Sequence, residues 1–293
     1  LRVEDGRIYC PGVGDDTACL VCLLLAGKYI ARHVDSPSWR EIRGEDAPGL
    51  LLVCNAGEEG LGNLKGVRKI CEDYGGRIKS FCTFDSSLSS IVDRAVGSKR
   101  FRVKVRTRGG HSYNDFGNDN AIAGLASLVG KLYKIQVPEG GKTTYNVGMI
   151  SGGTSVNTIA QEAEMLYEFR SDKRENLEYM ERQFMEVLDR AKAEGMDVSF
   201  QVIGVRPCEG QVDPAQKQAL TDWAHRVVEE MTGQAPKHHA GSTDCNIPLS
   251  LGIPSVCVGS FTGSGAHTRD EYVEAASLEQ GYKVAFEMIL GRD

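Results

Sequence analysis

Apolar runs and amphipathic segments alternate along the first 96 residues of the chain and again after residue 213. The apolar runs at residues 50–54 and 253–259 are typical of strands buried on both faces of a parallel sheet, and residues 78–84 predict a further strand. The run at residues 18–26 is long enough for a buried helix, and a second helix is expected at residues 63–74. This alternation predicts an α/β domain with a doubly wound, mostly parallel sheet.

The pattern changes in the middle of the chain. Residues 101–106 alternate apolar and basic side chains, which predicts a strand with one solvated face, and the long cationic side chains are typical of a sheet edge. The segments that follow predict a helix, two strands, a strongly amphipathic helix and a last strand, at residues 120–132, 144–150, 164–170, 176–194 and 198–205. The order β-α-β-β-α-β is ferredoxin-like. We therefore expect an α+β domain at residues 97–212, inserted into an α/β domain made of residues 1–96 and 213–293.

Composition narrows the class of protein. The chain has 293 residues, 41% of them hydrophobic, which is enough for two domains with full cores. Its net charge of −6 argues against nucleic acid as a partner, and no apolar stretch is long enough to span a membrane. Most of the nine cysteines, including the Cys19-Leu20-Val21-Cys22 pair, lie in apolar segments and are interpreted as buried thiols. These features predict a cytoplasmic enzyme.

The candidate chemistry begins at Glu58 and Glu59, which follow the apolar run at residues 50–54. The carboxyl end of a strand is where open α/β sheets bind ligands. Two adjacent carboxylates there repel each other unless a cation compensates them. A metal ion would provide that compensation, with one carboxylate as its ligand and the other as a base acting on water. The alternative is a solvated acidic turn.

Further acids and an imidazole follow other predicted elements. Asp15 and Asp16 precede the helix at residues 18–26, Asp85 follows the strand at residues 78–84, and His267 lies in a glycine-rich loop after residue 259. Singly, these residues are a helix cap, a turn residue and a loop residue. Together, Asp, Glu and His side chains suit a divalent metal, with zinc as the leading candidate and manganese or cobalt as alternatives.

Seven motifs in sequence give the chain a resemblance to a known family. They are Gly-Val-Gly-Asp-Asp, Gly-Glu-Glu-Gly, Thr-Phe-Asp, Gly-Gly-His-Ser, Ser-Gly-Gly-Thr-Ser-x-Asn-Thr-Ile, Gly-Ser-Thr-Asp and Gly-Ala-His-Thr. In this order they resemble the co-catalytic dizinc metallopeptidases. That family includes peptidase T, glutamate carboxypeptidases of the carboxypeptidase G type, acetylornithine deacetylase, succinyl-diaminopimelate desuccinylase and the aminoacylases. The resemblance covers nearly the whole chain. It implies a zinc-peptidase-like α/β domain and an inserted lid that also serves for dimerisation.

The resemblance implies a role for each matching residue in the metal site. Asp15 would bridge two zinc ions and Glu58 would be the general base. Glu59 and His267 would complete the site of one ion, and Asp85 would ligate the other.

The remaining roles concern the substrate. His111, in the lid, would bind the scissile carbonyl oxygen and often reaches the neighbouring subunit's site, which implies a homodimer through the inserted domain. The resemblance also implies that Asn157, Arg170 and Gly241 would contact the substrate. An arginine fork suits a substrate carboxylate because it makes two parallel hydrogen bonds.

One family motif has no counterpart. The first ligand of the Asp85 ion should be the histidine of a His-x-Asp motif upstream of Asp15, and no histidine precedes Asp15 here. The segment His33-Val34-Asp35 matches the His-x-Asp motif, but it follows Asp15 in sequence, and we interpret the match as coincidence. We therefore expect an N-terminally truncated chain that lacks one metal ligand.

Three functions remain open at this stage. The first is a metal-dependent hydrolase of peptide or N-acyl amide bonds in small carboxylate-bearing substrates. The adjacent Asp15-Asp16 pair favours the tripeptidase-like and carboxypeptidase-like branches. The second is a non-catalytic, truncated relative that binds metal or peptide or only dimerises. A metal-dependent phosphatase or nuclease is the third, and the acidic balance makes it the weakest.

Overall fold

The computed structural model describes residues 1–37, 41, 44 and 49–290. Its helices are α1 (Cys19–His33), α2 (Lys65–Tyr74), α3 (Ala121–Leu132), α4 (Arg174–Ala193), α5 (Pro214–Thr232), α6 (Asn246–Ser250) and α7 (Ser277–Leu290). Its strands are β1 (Arg2–Glu4), β2 (Arg7–Tyr9), β3 (Phe81–Phe84), β4 (Ser90–Ala95), β5 (Gly97–Arg106), β6 (Gly110–His111), β7 (Thr143–Gly152), β8 (Thr158–Ile159), β9 (Glu162–Ser171), β10 (Asp197–Arg206), β11 (Lys237–Gly241), β12 (Ser255–Val258), β13 (Gly263–Ser264) and β14 (Tyr272–Glu274). Within this part of the chain, no helix has the length and apolarity needed to cross a membrane.

The chain forms two compact units. The first comprises residues 1–58, 64–95 and 209–293, and the second comprises residues 96–208 with the short segment 59–63. In sequence, the second unit therefore lies between segments of the first.

The first unit is built around a four-stranded sheet in the order β11-β4-β12-β3. The pairs β11–β4 and β12–β3 are parallel, whereas β12 and β4 are antiparallel. Val256 and Val258 pack in a cluster with residues of α1, α5 and α7, while Cys257 packs in a second cluster with Leu249 of α6. Helices thus cover both faces of the sheet, which confirms the predicted α/β class.

The predicted strand at residues 50–54 is wrong. Residues 50–57 have no regular structure, and Leu50, Leu51 and Leu52 are 44%, 54% and 42% exposed. An apolar run becomes a strand only where a neighbouring backbone accepts and donates its hydrogen bonds. Among the described residues, no strand pairs with this segment. Glu58 and Glu59 therefore follow an irregular segment instead of the end of a strand.

A second, small sheet connects the two ends of the sequence. Its strand order is β1-β2-β14-β13, and every pairing in it is antiparallel. Tyr272 of β14 lies opposite Tyr9 of β2, with their ring centroids 5.4 Å apart. This pairing holds the segment after β2, which carries Asp15, beside the loop before β14, which carries His267.

The second unit has the predicted ferredoxin-like arrangement. Its sheet has the order β10-β5-β9-β7, with antiparallel pairing throughout. Helices α3 and α4 pack on this sheet through a core that includes Phe101, Phe169 and Phe184. Asn120 caps α3, because its side-chain oxygen accepts hydrogen bonds from the backbone of Ile122 and Ala123.

One expectation for this unit is wrong. Residues 101–106 were predicted to be a sheet edge, but β5 is a central strand that pairs with both β10 and β9. The basic side chains on its solvated face pair across the strands, as Arg100 does with Glu168 and Lys104 does with Glu164. The edges of this sheet are β7 and β10.

Candidate metal centre

Asp15 lies in a tight turn of irregular backbone that leads into α1. Gly12 has a φ of 74°, a conformation that glycine adopts without strain, and the peptide bond between Asp15 and Asp16 is cis. Gly14 is buried, and a Cβ atom there would stand 2.6 Å from the ring of Phe261. Backbone conformation therefore explains the glycine at position 12, and close packing explains the glycine at position 14.

Glu271 holds this turn from the other end of the sequence. Its carboxylate accepts hydrogen bonds from the backbone N–H groups of Gly12, Gly14 and Asp15, at 2.6, 2.9 and 2.9 Å. Burial alone would raise the pKa of Glu271, but these three hydrogen bonds and the nearby His267 outweigh it and lower the pKa. The sequence patterns gave no indication of this role for Glu271.

Asp15, Glu59 and His267 come together. One ligand atom from each lies within 4.8 Å of the others, and this is the one such group of three among the described residues. His267 Nε2 is 3.3 Å from Asp15 Oδ2. Glu59 directly follows Glu58 in sequence. His267 has a φ of 64°, in a loop closed by a hydrogen bond from Thr268 N to Gly265 O.

This donor set fits a divalent metal. Two carboxylates and one imidazole are the ligand types of a catalytic zinc site, which uses three protein ligands and leaves a fourth position open. Asp15, Glu59 and His267 are therefore the residues of this chain that would hold a zinc ion.

Asp85, the predicted ligand of a second ion, is not part of that group. It follows β3, and its carboxylate lies near that of Asp16. Burial of the Asp16 carboxyl, and then the charge of Asp85, raise the pKa of Asp16 to about 7. Asp15 and Asp244 add to the same effect. Several carboxylates therefore converge around Asp16, the neighbour of Asp15, an arrangement that a bound cation would stabilise.

Three further residues of the first unit belong to the motifs found in the sequence. Glu58, the predicted base, is half-buried and directly precedes Glu59 in sequence. Asp244, of the Gly-Ser-Thr-Asp motif, is buried and accepts a hydrogen bond from Asn55 at 2.8 Å. Gly241 ends β11, and a Cβ atom on it would stand 2.9 Å from Val92. Close packing is thus sufficient to explain glycine at position 241. The substrate-binding role of Gly241 stays a prediction.

In the second unit, His111 and Asn157 are neighbours. His111 pairs with Thr158 between β6 and β8, and the backbone oxygen of Asn157 accepts a hydrogen bond from Ser112. The Nδ1 atom of His111 accepts from the backbone N–H groups of Tyr113 and Asn114, at 3.3 and 3.4 Å. A nitrogen that accepts carries no proton, so the neutral ring is protonated at Nε2.

Arg170 is engaged within its own strand. Its Nε and one terminal nitrogen donate to the carboxylate of Glu168 at 2.9 and 3.3 Å, and Arg100 donates to the same carboxylate at 3.0 Å. An arginine has five N–H donors, so three remain for a substrate.

The chain is similar in sequence to a known protein family and to several known enzymes. Residues 95–196 match the family described as the peptidase dimerisation domain. The chain is 24% identical to an acetylornithine deacetylase of Myxococcus xanthus over 288 residues, covering 95% of this chain and 70% of the relative. It is also 24% identical to a succinyl-diaminopimelate desuccinylase of Nitrosomonas eutropha, covering 99% of this chain and 77% of the relative.

Solved structures show the same fold. The aminopeptidase PepT of Bacillus cereus superposes with a TM-score of 0.71 at 22% identity, covering 99% of this chain and 75% of that one. A tripeptidase of Staphylococcus aureus gives a TM-score of 0.73 at 22% identity, with coverage of 99% and 74%. The chain therefore shares its fold with these two peptidases. The resemblance predicted from the motifs is confirmed.

Proposed function

We propose that this chain is a zinc-dependent hydrolase of peptide or N-acyl amide bonds in small substrates that carry a carboxylate. The observation that carries the proposal is the convergence of Asp15, Glu59 and His267, with Glu58 adjacent in sequence to one of them. Proteins named as peptidases, deacetylases and desuccinylases are similar to the chain along nearly its full length, and this supports the same reaction class.

When bound, zinc supplies Lewis-acid polarisation of the reacting carbonyl and lowers the pKa of water. The protein residues do the rest. Glu58 takes a proton from the attacking water and passes it to the leaving amine. Asp15, Glu59 and His267 would hold the ion, and Asp15 and Asp85 would hold the second zinc of a co-catalytic pair. Manganese and cobalt suit the same oxygen and nitrogen ligands.

His111 is assigned the stabilisation of the oxyanion. Its tautomer is the one that role requires, since the proton on Nε2 can be donated to a carbonyl oxygen that gains charge. Loss of one such donor costs ~10²- to 10³-fold in kcat. Asn157 lies beside the same turn and is assigned to substrate binding with Gly241.

Arg170 is assigned the substrate carboxylate. Glu168 orients its guanidinium through two hydrogen bonds, and three N–H donors remain. Arg170→Ala should then raise KM for substrates with a free carboxylate, by ~1.5–3 kcal/mol in binding free energy, and much less for amidated ones. Equal effects on both substrate types would remove Arg170 from this role and leave the hydrolase proposal in place.

Two further properties are proposed from the same evidence. The match to a peptidase dimerisation domain supports a homodimer formed through the second unit. Its β7 edge is the candidate surface, since Met149 and Ile150 are 66% and 57% exposed on a strand with one unpaired side. All nine cysteines are free thiols, which supports a reducing, cytoplasmic setting.

The test is hydrolysis of a matched substrate panel. Dipeptides, tripeptides and N-acetyl and N-succinyl amino acids are incubated with the wild type and Glu58→Gln, with zinc and with a chelator. The proposal expects zinc-dependent release of amine by the wild type and loss of ~10²- to 10⁴-fold in Glu58→Gln. Metal binding without turnover of any substrate would favour the alternative of a non-catalytic relative.

A further inference from the structure

Glu271 connects the two loops that carry Asp15 and His267. Its carboxylate accepts hydrogen bonds from Gly12, Gly14 and Asp15, at 2.6, 2.9 and 2.9 Å. Its backbone oxygen accepts a fourth hydrogen bond, from Cys10 at 3.1 Å. Glu271 is therefore bonded repeatedly to the turn before Asp15, although it lies 256 residues from Asp15 in sequence.

The carboxylate of Glu271 is not a surface charge. The residue is 3% exposed, and a buried carboxylate is costly unless hydrogen bonds compensate it. Here the compensation comes from backbone N–H groups of the turn itself. Any movement of the turn away from Glu271 would leave both the charge and the N–H groups without partners, so the arrangement resists such movement.

The turn held by Glu271 carries a metal ligand. Asp15 donates its own backbone N–H to Oε1 of Glu271, and its side chain reaches within 3.3 Å of His267. His267 precedes Glu271 by four residues in the same loop. One side chain thus fixes the backbone of one ligand relative to the loop of another.

We propose that Glu271 is a positioning residue that holds Asp15 and His267 at the separation a zinc ion requires. This inference rests on the proposed function. It adds a residue that does not touch the ion or the substrate and acts through the backbone of Asp15. Partners that orient metal ligands typically contribute 10- to 100-fold to metal affinity, about the effect expected here.

Three variants separate this role from general stability. Glu271→Gln keeps the shape and one oxygen, so it can hold Gly14 and Asp15 but turns an amide N–H₂ group toward the N–H of Gly12. Glu271→Ala removes all three carboxylate contacts. Glu274→Gln is the matched control, since Glu274 ends β14, the strand that directly follows Glu271, and its side chain forms an exposed ion pair with Arg7, at 3.7 Å.

The first measurement is the affinity of each folded variant for zinc and for cobalt, with the visible spectrum of the cobalt-loaded protein as a readout of ligand geometry. We expect Glu271→Ala to bind about 10- to 100-fold more weakly, with an altered cobalt spectrum, Glu271→Gln to lie between, and Glu274→Gln to match the wild type. Folding of each variant is checked by circular dichroism.

The second measurement needs no metal. Hydrogen exchange of the amides at residues 10–16 should be faster in Glu271→Ala and, to a smaller extent, in Glu271→Gln than in the wild type or Glu274→Gln. Wild-type affinity and an unchanged cobalt spectrum in Glu271→Ala would overturn the inference alone. Failure of the wild type to bind either metal would overturn the proposed function and, with it, the metal-related role of Glu271.

Discussion

Replacing Gly14 with alanine tests the packing from which the metal centre is built. Gly14 is buried directly before Asp15, and its N–H donates to Glu271. A Cβ atom at this position would stand 2.6 and 2.7 Å from two ring atoms of Phe261 and 3.2 Å from Oε1 of Glu271. Separations below 3.0 Å cannot persist, so the ring or the turn must move.

The cost follows from overpacking. Inserting one methyl group into a well-packed region typically costs 1–3 kcal/mol, and we expect about that loss in the free energy of unfolding. Displacement of the turn should also weaken the hydrogen bonds to Glu271, so zinc affinity should fall as well. The assay is urea unfolding followed by circular dichroism, with zinc titration of the folded variant.

Gly75→Ala is the control for this substitution. Gly75 has φ −47° and ψ −42°, which suit alanine, and an added Cβ atom there would meet nothing within 4 Å. It should be neutral or stabilise the protein by about 0.4–1 kcal/mol. If Gly14→Ala unfolded like the control and bound zinc like the wild type, the reasoning about this turn would be refuted.

Three further predictions concern other parts of the molecule. Glu58→Gln should retain zinc but lose ~10²- to 10⁴-fold in kcat, whereas Glu59→Gln should lose zinc; the reverse pattern in metal analysis and kinetics would exchange their roles. Burial alone would raise the pKa of Glu168, but Arg170 and Arg100 outweigh it and lower the pKa. The ionised Glu168 carboxylate therefore stabilises the fold above its unfolded pKa of about 4.3, and this stabilisation is lost as the pH falls through its folded pKa. Glu168→Gln should accordingly reduce the loss of unfolding free energy at acid pH, as measured by urea unfolding. Met149→Lys should dissociate the proposed dimer in sedimentation experiments, while Val202→Lys on β10, the opposite edge, should leave it intact; a dimer that survives Met149→Lys would exclude the β7 edge.

The second unit follows closely from sequence periodicity. Its strands alternate apolar and polar residues, and its helices have an apolar stripe, because each element has one face on a core and one in solvent. In β9, for example, every second residue is buried. The pattern does not encode which strands are neighbours. Basic residues on β5 indicated an edge, yet they face acidic residues of the adjacent strand β9. Charge on a solvated face is compatible with either position.

The first unit shows the limit of apolar runs as a signal. Residues 50–54 are as apolar as β12, but only β12 has neighbours that complete its hydrogen bonds. Helix α1 shows the same limit, since it was predicted to be buried and yet Leu24 and Leu25 are 53% and 50% exposed. Burial and pairing depend on what lies nearby, and one segment's composition does not contain that information.

Some residues of the candidate site could be predicted from the sequence, and one could not. Asp15, Glu59 and His267 were identified because their residue types and motif order carry chemistry. Glu271 was missed because its role depends on three backbone N–H groups about 260 residues away, and backbone donors leave no trace in a sequence pattern. The Asp270-Glu271 pair before β14 was the only available signal, and acidic pairs in loops are common.

Zinc analysis of the purified chain after equilibrium dialysis tests the central claim most directly. Asp15, Glu59 and His267 provide one complete set of three protein ligands among the described residues, so the wild type should retain about one tightly held zinc ion per chain. His267→Ala should retain almost none. His33→Ala, which changes an exposed histidine whose ring contacts Tyr29 on α1, should retain as much as the wild type. Undiminished zinc in His267→Ala would contradict the assignment of the metal centre.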